Sequence, residues 1–96
     1  HLCEFNLIII KDVFQHLSNQ TIIEIFNVLK KINCEILITN DFSTDCNADC
    51  LNGEFRHLDI CKSPFNIVPI NKHKWISNID SRLKETVICN LYGNYE

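Results

Sequence analysis

Residues 6–20 read "NLIIIKDVFQHLSNQ". Leu7, Ile8, Ile9 and Ile10 are apolar in unbroken succession. A strand with one wet face alternates; a continuous apolar run is the pattern of a strand covered on both faces. Phe5 to Ile10 is therefore expected as an interior strand of a largely parallel sheet. Lys11 and Asp12 end it, and Val13 to Leu17 fits one short helical turn. Ser18 or Asn19 then caps a longer helix, with Thr21 and Glu24 as a competing capping box one turn later. Ile22, Ile25, Phe26, Leu29 and Ile32 recur at helical spacing and Ile23 widens the stripe, so the helix is expected to reach about Ile32. Lys30 and Lys31 fall in its last turn, where they suit the helix dipole.

Glu35 to Thr39, "EILIT", reads as a second strand. Strand, helix and strand in that order make a right-handed crossover between parallel strands. The polar stretch "NDFSTDCNADCLNG", residues 40–53, leaves the C-terminal end of that strand. Open α/β sheets bind their ligands at that edge. Beyond Gly53 the pattern weakens. Phe55 to Cys61 alternates loosely, and Pro64 and Pro69 break any helix. Asn71 to Lys84 is mostly polar, with Trp75, Ile76 and Ile79 as expected anchors. Thr86 to Tyr92, "TVICNLY", reads as a last strand. A parallel sheet needs helices on both faces, whereas one crossover helix and about three strands supply only part of that cover. The expected fold is α/β: residues 1–96 as the C-terminal part of a doubly wound, Rossmann-like sheet, three-layer α/β/α in the parent domain.

The chain has 96 residues, 46% hydrophobic and 22% charged, with net charge -3. That is one domain at most, burying roughly 60–65% of its unfolded surface. The balance suits a globular core and shows none of the basic excess of a non-specific nucleic-acid binder. No run of about 20 apolar residues suggests a membrane span. The opening "HLCEFNLIII" lacks the basic leader and small-residue cleavage site of a signal peptide, and a start at His1 suits a fragment or a processed product. Six cysteines, at 3, 34, 46, 50, 61 and 89, keep a disulfide scaffold open. Cys3, Cys34 and Cys89 lie in or beside apolar runs, as free buried thiols do, which together with the missing leader points to the cytoplasm. Asn19-Gln20-Thr21 matches a glycosylation acceptor, at the point where a helix should begin.

"LIIIKDVFQHLSNQTIIEIFNVLKK", "EILITNDF" and "NGEFRHLDICKSPFNIVP" together resemble the C-terminal half of a class I S-adenosylmethionine-dependent methyltransferase domain. More narrowly, they resemble a set of uncharacterised methyltransferase-like proteins. The match runs from Asn6 to Pro69, and "KETVICNLYGNY" is similar more loosely to the closing strand. The resemblance implies that the fourth strand, its helix and the fifth strand are residues 5–10, 19–32 and 35–39. The glycine-rich loop and the ribose-binding acid would then belong to a first half upstream. It implies methyl transfer from S-adenosylmethionine by the parent domain to an acceptor the residues do not name, the fragment being inactive alone.

The resemblance also places residues. Lys11, Asp12, Val13 and Gln15 fall beside the cofactor, near its methionine end. Asp12 there either accepts from the cofactor ammonium or holds the turn through local amides. Lys11 stands where the family more often has Arg or Asn, so its contact is expected through the backbone. His16 is a candidate base or orienting group, with packing beneath the loop after Gly53 as the alternative. Arg56 is the second catalytic candidate, a guanidinium fork for Asp12, Asp59 or an anionic substrate group. His57 occupies a position where proline is more usual. Pro64, Phe65 and Phe42 are expected to shape the pocket wall.

Three other readings stay open. Cys46, Cys50, His57 and Cys61 offer zinc-type ligands, but the spacing C-x3-C-x6-H-x3-C lacks the usual paired knuckles. The chain also reads as a non-catalytic α/β binding scaffold. A nucleotide-cofactor dehydrogenase fits less well, because of the Pro-Phe segment and an end that looks antiparallel.

Overall fold

The computed structural model describes residues 7–41, 47–79 and 81–93. Strand β1 (Leu7–Ile10) leads through a single 3-10 turn (Phe14–His16) into helix α1 (Asn19–Leu29). Strands β2 (Glu35–Asn40), β3 (Asn71–Ile76) and β4 (Leu83–Cys89) complete a mixed α/β domain. The sheet order is β1-β2-β4-β3. β1 and β2 are parallel, with Ile8 opposite Ile36 and Ile10 opposite Ile38. β4 is antiparallel to both β2 and β3, so β3 runs in the same direction as β1 and β2.

Ser18 caps α1: its Oγ accepts from Thr21 N at 3.2 Å. Of the two caps the sequence offers, the earlier one forms. Glu24 instead accepts from Gln20 Nε2 one turn back. The helix closes at Leu29, short of Ile32, with Lys30 as its C-cap. Ile22, Phe26 and Leu29 face the sheet. They pack with Ile36, Ile38, Val87, Cys89, Leu58, Ile60, Phe65 and Leu91 in one core. Each such side chain contributes about 1.5–3 kcal/mol of transfer free energy, and edge-to-face contacts of Phe26 with Phe14 and Phe65 add to it.

Four expectations are corrected. β1 is an edge strand and is not covered on both faces: Leu7 is 44% and Ile9 64% exposed. Its apolar run is real, but among the described residues the only helix, α1, packs on one face. Phe5 and Asn6 lie outside the described residues. The second correction is β3, which forms in a stretch expected to be irregular. Its "NKHKWI" sequence has no apolar face, and pairing with β4 from Asn71–Ile88 to Ile76–Leu83 makes the strand. Third, Ile76 and Ile79 are not anchors; Ile79 is 96% exposed. Trp75 is half-buried, its indole Nε1 donating to Thr86 Oγ1 at 3.0 Å. Fourth, the last strand starts at Leu83 and ends at Cys89, three residues earlier at each end than Thr86–Tyr92.

The register sorts the sheet faces. Ile36, Ile38, Glu85, Val87 and Cys89 point toward α1 and are buried. Leu7, Ile9, Leu37, Thr86, Ile88 and Trp75 share the opposite face, which no described element covers. Among the described residues no helix is long and apolar enough to cross a membrane. Cys34, Cys50, Cys61 and Cys89 are free thiols.

Candidate functional site

The C-terminal ends of β1, β2 and β3 come out on one edge of the sheet, together with the start of β4. This edge gathers most of the polar side chains that the core buries. Asn40, the last residue of β2, is fully buried. Its amide donates to Glu85 Oε1 at 2.9 Å and Asp59 Oδ1 at 3.1 Å, and its Oδ1 accepts from Ile60 N at 2.7 Å. Lys72 Nζ stands 4.0 Å from Glu85. Asp41 follows: its Oδ2 accepts from Gln15 Nε2 at 3.2 Å and Leu58 N at 3.3 Å. Such buried networks fix loops to the strands they follow.

Of the residues placed beside the cofactor by resemblance, Lys11, Asp12 and Val13 form the exposed turn off β1. Asp12 has a left-handed backbone, φ 55°. Its carboxylate faces Lys84 Nζ at 3.4 Å, so the turn is tied to β4. Lys11 borders a shallow hollow of about 160 Å³ on the uncovered face, with Ile9, Leu37, Thr39, Trp75 and Thr86. Gln15 is buried beneath the turn; its Nε2 also donates to Thr39 O at 3.3 Å. Its Oε1 is buried without a hydrogen-bond partner.

His16 lies at the same edge. Its Nδ1 is 3.1 Å from Glu54 O, and Gly53 N donates back to His16 O at 2.8 Å. It packs against the loop after Gly53 while its ring stays exposed. Arg56 reaches neither Asp12 nor Asp59. Nη1 donates to Ala48 O and Nη2 to Leu17 O, at 2.6 and 2.8 Å, and Nε is buried without a partner. The fork is occupied by backbone carbonyls and clamps the 47–56 loop onto the turn before α1.

Pro64 and Phe65 do line a cavity, of about 390 Å³, with Ile23, Phe26, Lys30 and Leu91. It opens beside α1 at the other end of the sheet, away from Lys11 and Asp12. Phe42 and Cys46 lie outside the described residues. Among the described residues no three His, Cys, Asp or Glu side chains converge as metal ligands do.

From the sequence, Arg82, Lys84 and Asp41 carry no expected site role, and His57 only that of a zinc-type ligand. Asp41 is 3% exposed and His57 46%, with Oδ2 to Nδ1 at 4.0 Å. Arg82 Nη2 lies 2.7 Å from Nδ1 and 3.0 Å from Nε2 of His57. Phe55 stands between His16 and His57. The available signal for Asp41 was its place directly after an apolar strand; Arg82 and Lys84 carried none, because β4 starts earlier than expected.

No family model, curated protein or solved structure matches the chain.

Proposed function

We propose that these residues supply the second half of an S-adenosylmethionine-dependent methyltransferase domain. The observation that carries this reading is the strand order. β4 lies antiparallel between β2 and β3, which run in one direction. An antiparallel end is, with the Pro-Phe segment, one of the two features that set the methyltransferase resemblance apart from a nucleotide-cofactor dehydrogenase. The open β1 edge and the apolar side chains on the uncovered face, with Leu7 and Ile9 exposed, further support a partner layer contributed by other parts of the parent polypeptide.

The residues present fit the cofactor. The turn Lys11-Asp12-Val13 leaves the strand ladder; Val13 O accepts from His16 N at 3.1 Å, and the backbone of Lys11 and Asp12 is the part placed to meet a ligand. The left-handed Asp12 aims its carboxylate along the edge, where it accepts from a ligand ammonium alongside Lys84. Gln15 Oε1 offers an acceptor to a bound N–H. The cofactor, when bound, supplies an already activated methyl group, so the chain's task is alignment and removal of a proton. His16 is the group for the proton. Arg56 acts by holding the loop and touches no reacting atom.

Calorimetry with S-adenosylhomocysteine on the polypeptide that includes the sequence upstream of His1 tests the reading. Binding heat and a raised Tm are expected. Neither heat nor thermal protection would leave a non-catalytic α/β scaffold, the second reading, which the commitment of Arg56 to two backbone carbonyls favours.

A further inference from the structure

Phe55 is 54% exposed, at the edge of the sheet where β1 and β2 end. It is flanked on both sides: the His16 ring is tilted at 5.6 Å between centroids, and the His57 ring stands edge-on at 5.2 Å. Both imidazoles face solvent. This row of three rings is held rigidly from below. Arg56 N donates to Gln15 O at 3.0 Å, Gly53 N to His16 O, and the Arg56 guanidinium to Ala48 O and Leu17 O. What sets Phe55 apart from other exposed apolar side chains is that its ring stands beside two imidazoles on a fastened loop, a flat aromatic face edged by polar atoms.

The polar atoms around the row are also sorted. Glu54 O can only accept, so His16 Nδ1 carries a hydrogen, and in the neutral imidazole the lone pair is on Nε2. At the other end Arg82 stands against His57, with the buried Asp41 carboxylate behind it. The row thus has a proton acceptor at one end and a guanidinium at the other.

We propose that this ledge seats the methyl acceptor and that the acceptor is an aromatic ring bearing a hydroxyl group. The inference rests on the methyl-transfer reading above. The acceptor ring lies against Phe55, between the two imidazoles. Its hydroxyl oxygen attacks the methyl carbon: the O–C bond forms as the C–S bond breaks, and the bonding pair stays on sulfur, leaving a neutral thioether. The hydroxyl proton passes to His16 Nε2 and then to solvent. Arg82, at the His57 end of the row, disfavours a cationic substituent on the acceptor ring, which selects a neutral hydroxyl-bearing ring over one that carries an ammonium.

The test uses the polypeptide with its upstream sequence and 4-fluorophenol as probe, followed by fluorine NMR in the presence of S-adenosylhomocysteine. Phe55→Ala is expected to weaken binding of the probe by about fivefold, and 4-fluorobenzylamine is expected not to bind. With labelled S-adenosylmethionine, His16→Gln is expected to lower turnover to 4-fluoroanisole by about 100-fold, a loss far larger than its effect on probe affinity. Circular dichroism checks that both variants are folded. Cofactor binding with no probe binding, or with equal binding by Phe55→Ala, overturns the ledge and leaves the methyl-transfer reading intact. Absence of cofactor binding overturns that reading, and the acceptor role of the ledge with it.

Discussion

The side-chain amide of Asn40 donates to the carboxylate of Glu85 at 2.9 Å, directly across the β2–β4 pair. The same amide nitrogen reaches Asp59, so one neutral side chain serves two buried acids. Asn40→Ala removes the donor from both and the acceptor from Ile60 N. A loss of about 2–4 kcal/mol is expected, read as a fall in the denaturant midpoint. Asn40→Asp, which adds a third carboxylate, is expected to be worse. Equal stability of Asn40→Ala and wild type would show that the network contributes nothing.

Arg56→Lys tests the clamp. Lysine keeps the charge but cannot reach two carbonyls with one planar fork. The amides of Gly53 and Arg56, which donate to His16 and Gln15, are expected to exchange hydrogen at least about tenfold faster, equivalent to about 1.4 kcal/mol of lost protection. Unchanged exchange would mean that the loop is held by its other bonds.

Ser18→Ala removes the cap of α1. The expected cost is about 1 kcal/mol, seen as a lower Tm. Thr21→Ala is the control: it spares the bond from Thr21 N to Ser18 Oγ and is expected to cost less.

Burial pushes the Cys89 thiol up to about 11 from an ordinary 9.0, and the neighbouring Cys61 adds to the shift. Burial raises Cys61 as well. A raised folded value means that the thiol form is favoured by folding. The contribution to stability is complete below about pH 9 and is lost as pH rises toward 11. At pH 8, about one Cys89 in a thousand is a thiolate. Slow alkylation of Cys89 by iodoacetamide is expected in mass spectrometry, and Cys89→Ala is expected to flatten the alkaline fall in stability. Fast labelling of native protein at pH 8 would contradict the burial.

The first half of the fold was legible because its signals are local. The turn after Ile10, the cap at Ser18 and the stripe Ile22-Phe26-Leu29 are each set by residues within a few positions of one another. The position of β1 was not, because an apolar run states a demand for burial without stating what meets it. β3 was hidden for the opposite reason: its side chains carry no face, and only the partner strand makes it a strand. The site divides in the same way. The turn that carries Lys11, Asp12, Gln15 and His16 follows from the end of a strand, whereas their place beside a cofactor was implied by the resemblance alone. The partnerships of Asn40 with Glu85, Asp12 with Lys84 and His57 with Arg82 span 45, 72 and 25 residues, and no spacing rule reaches that far.

The two rims of the sheet are finished differently. β3 borders solvent with Lys72, His73 and Lys74, charged and polar side chains that discourage another strand from adding on. β1 presents Leu7 to Ile10 with no such guard. The sheet therefore has a direction of growth: it is sealed at β3 and able to extend only past β1. A Lys placed at Ile9 would close that rim too, turning an extensible sheet into a terminated one.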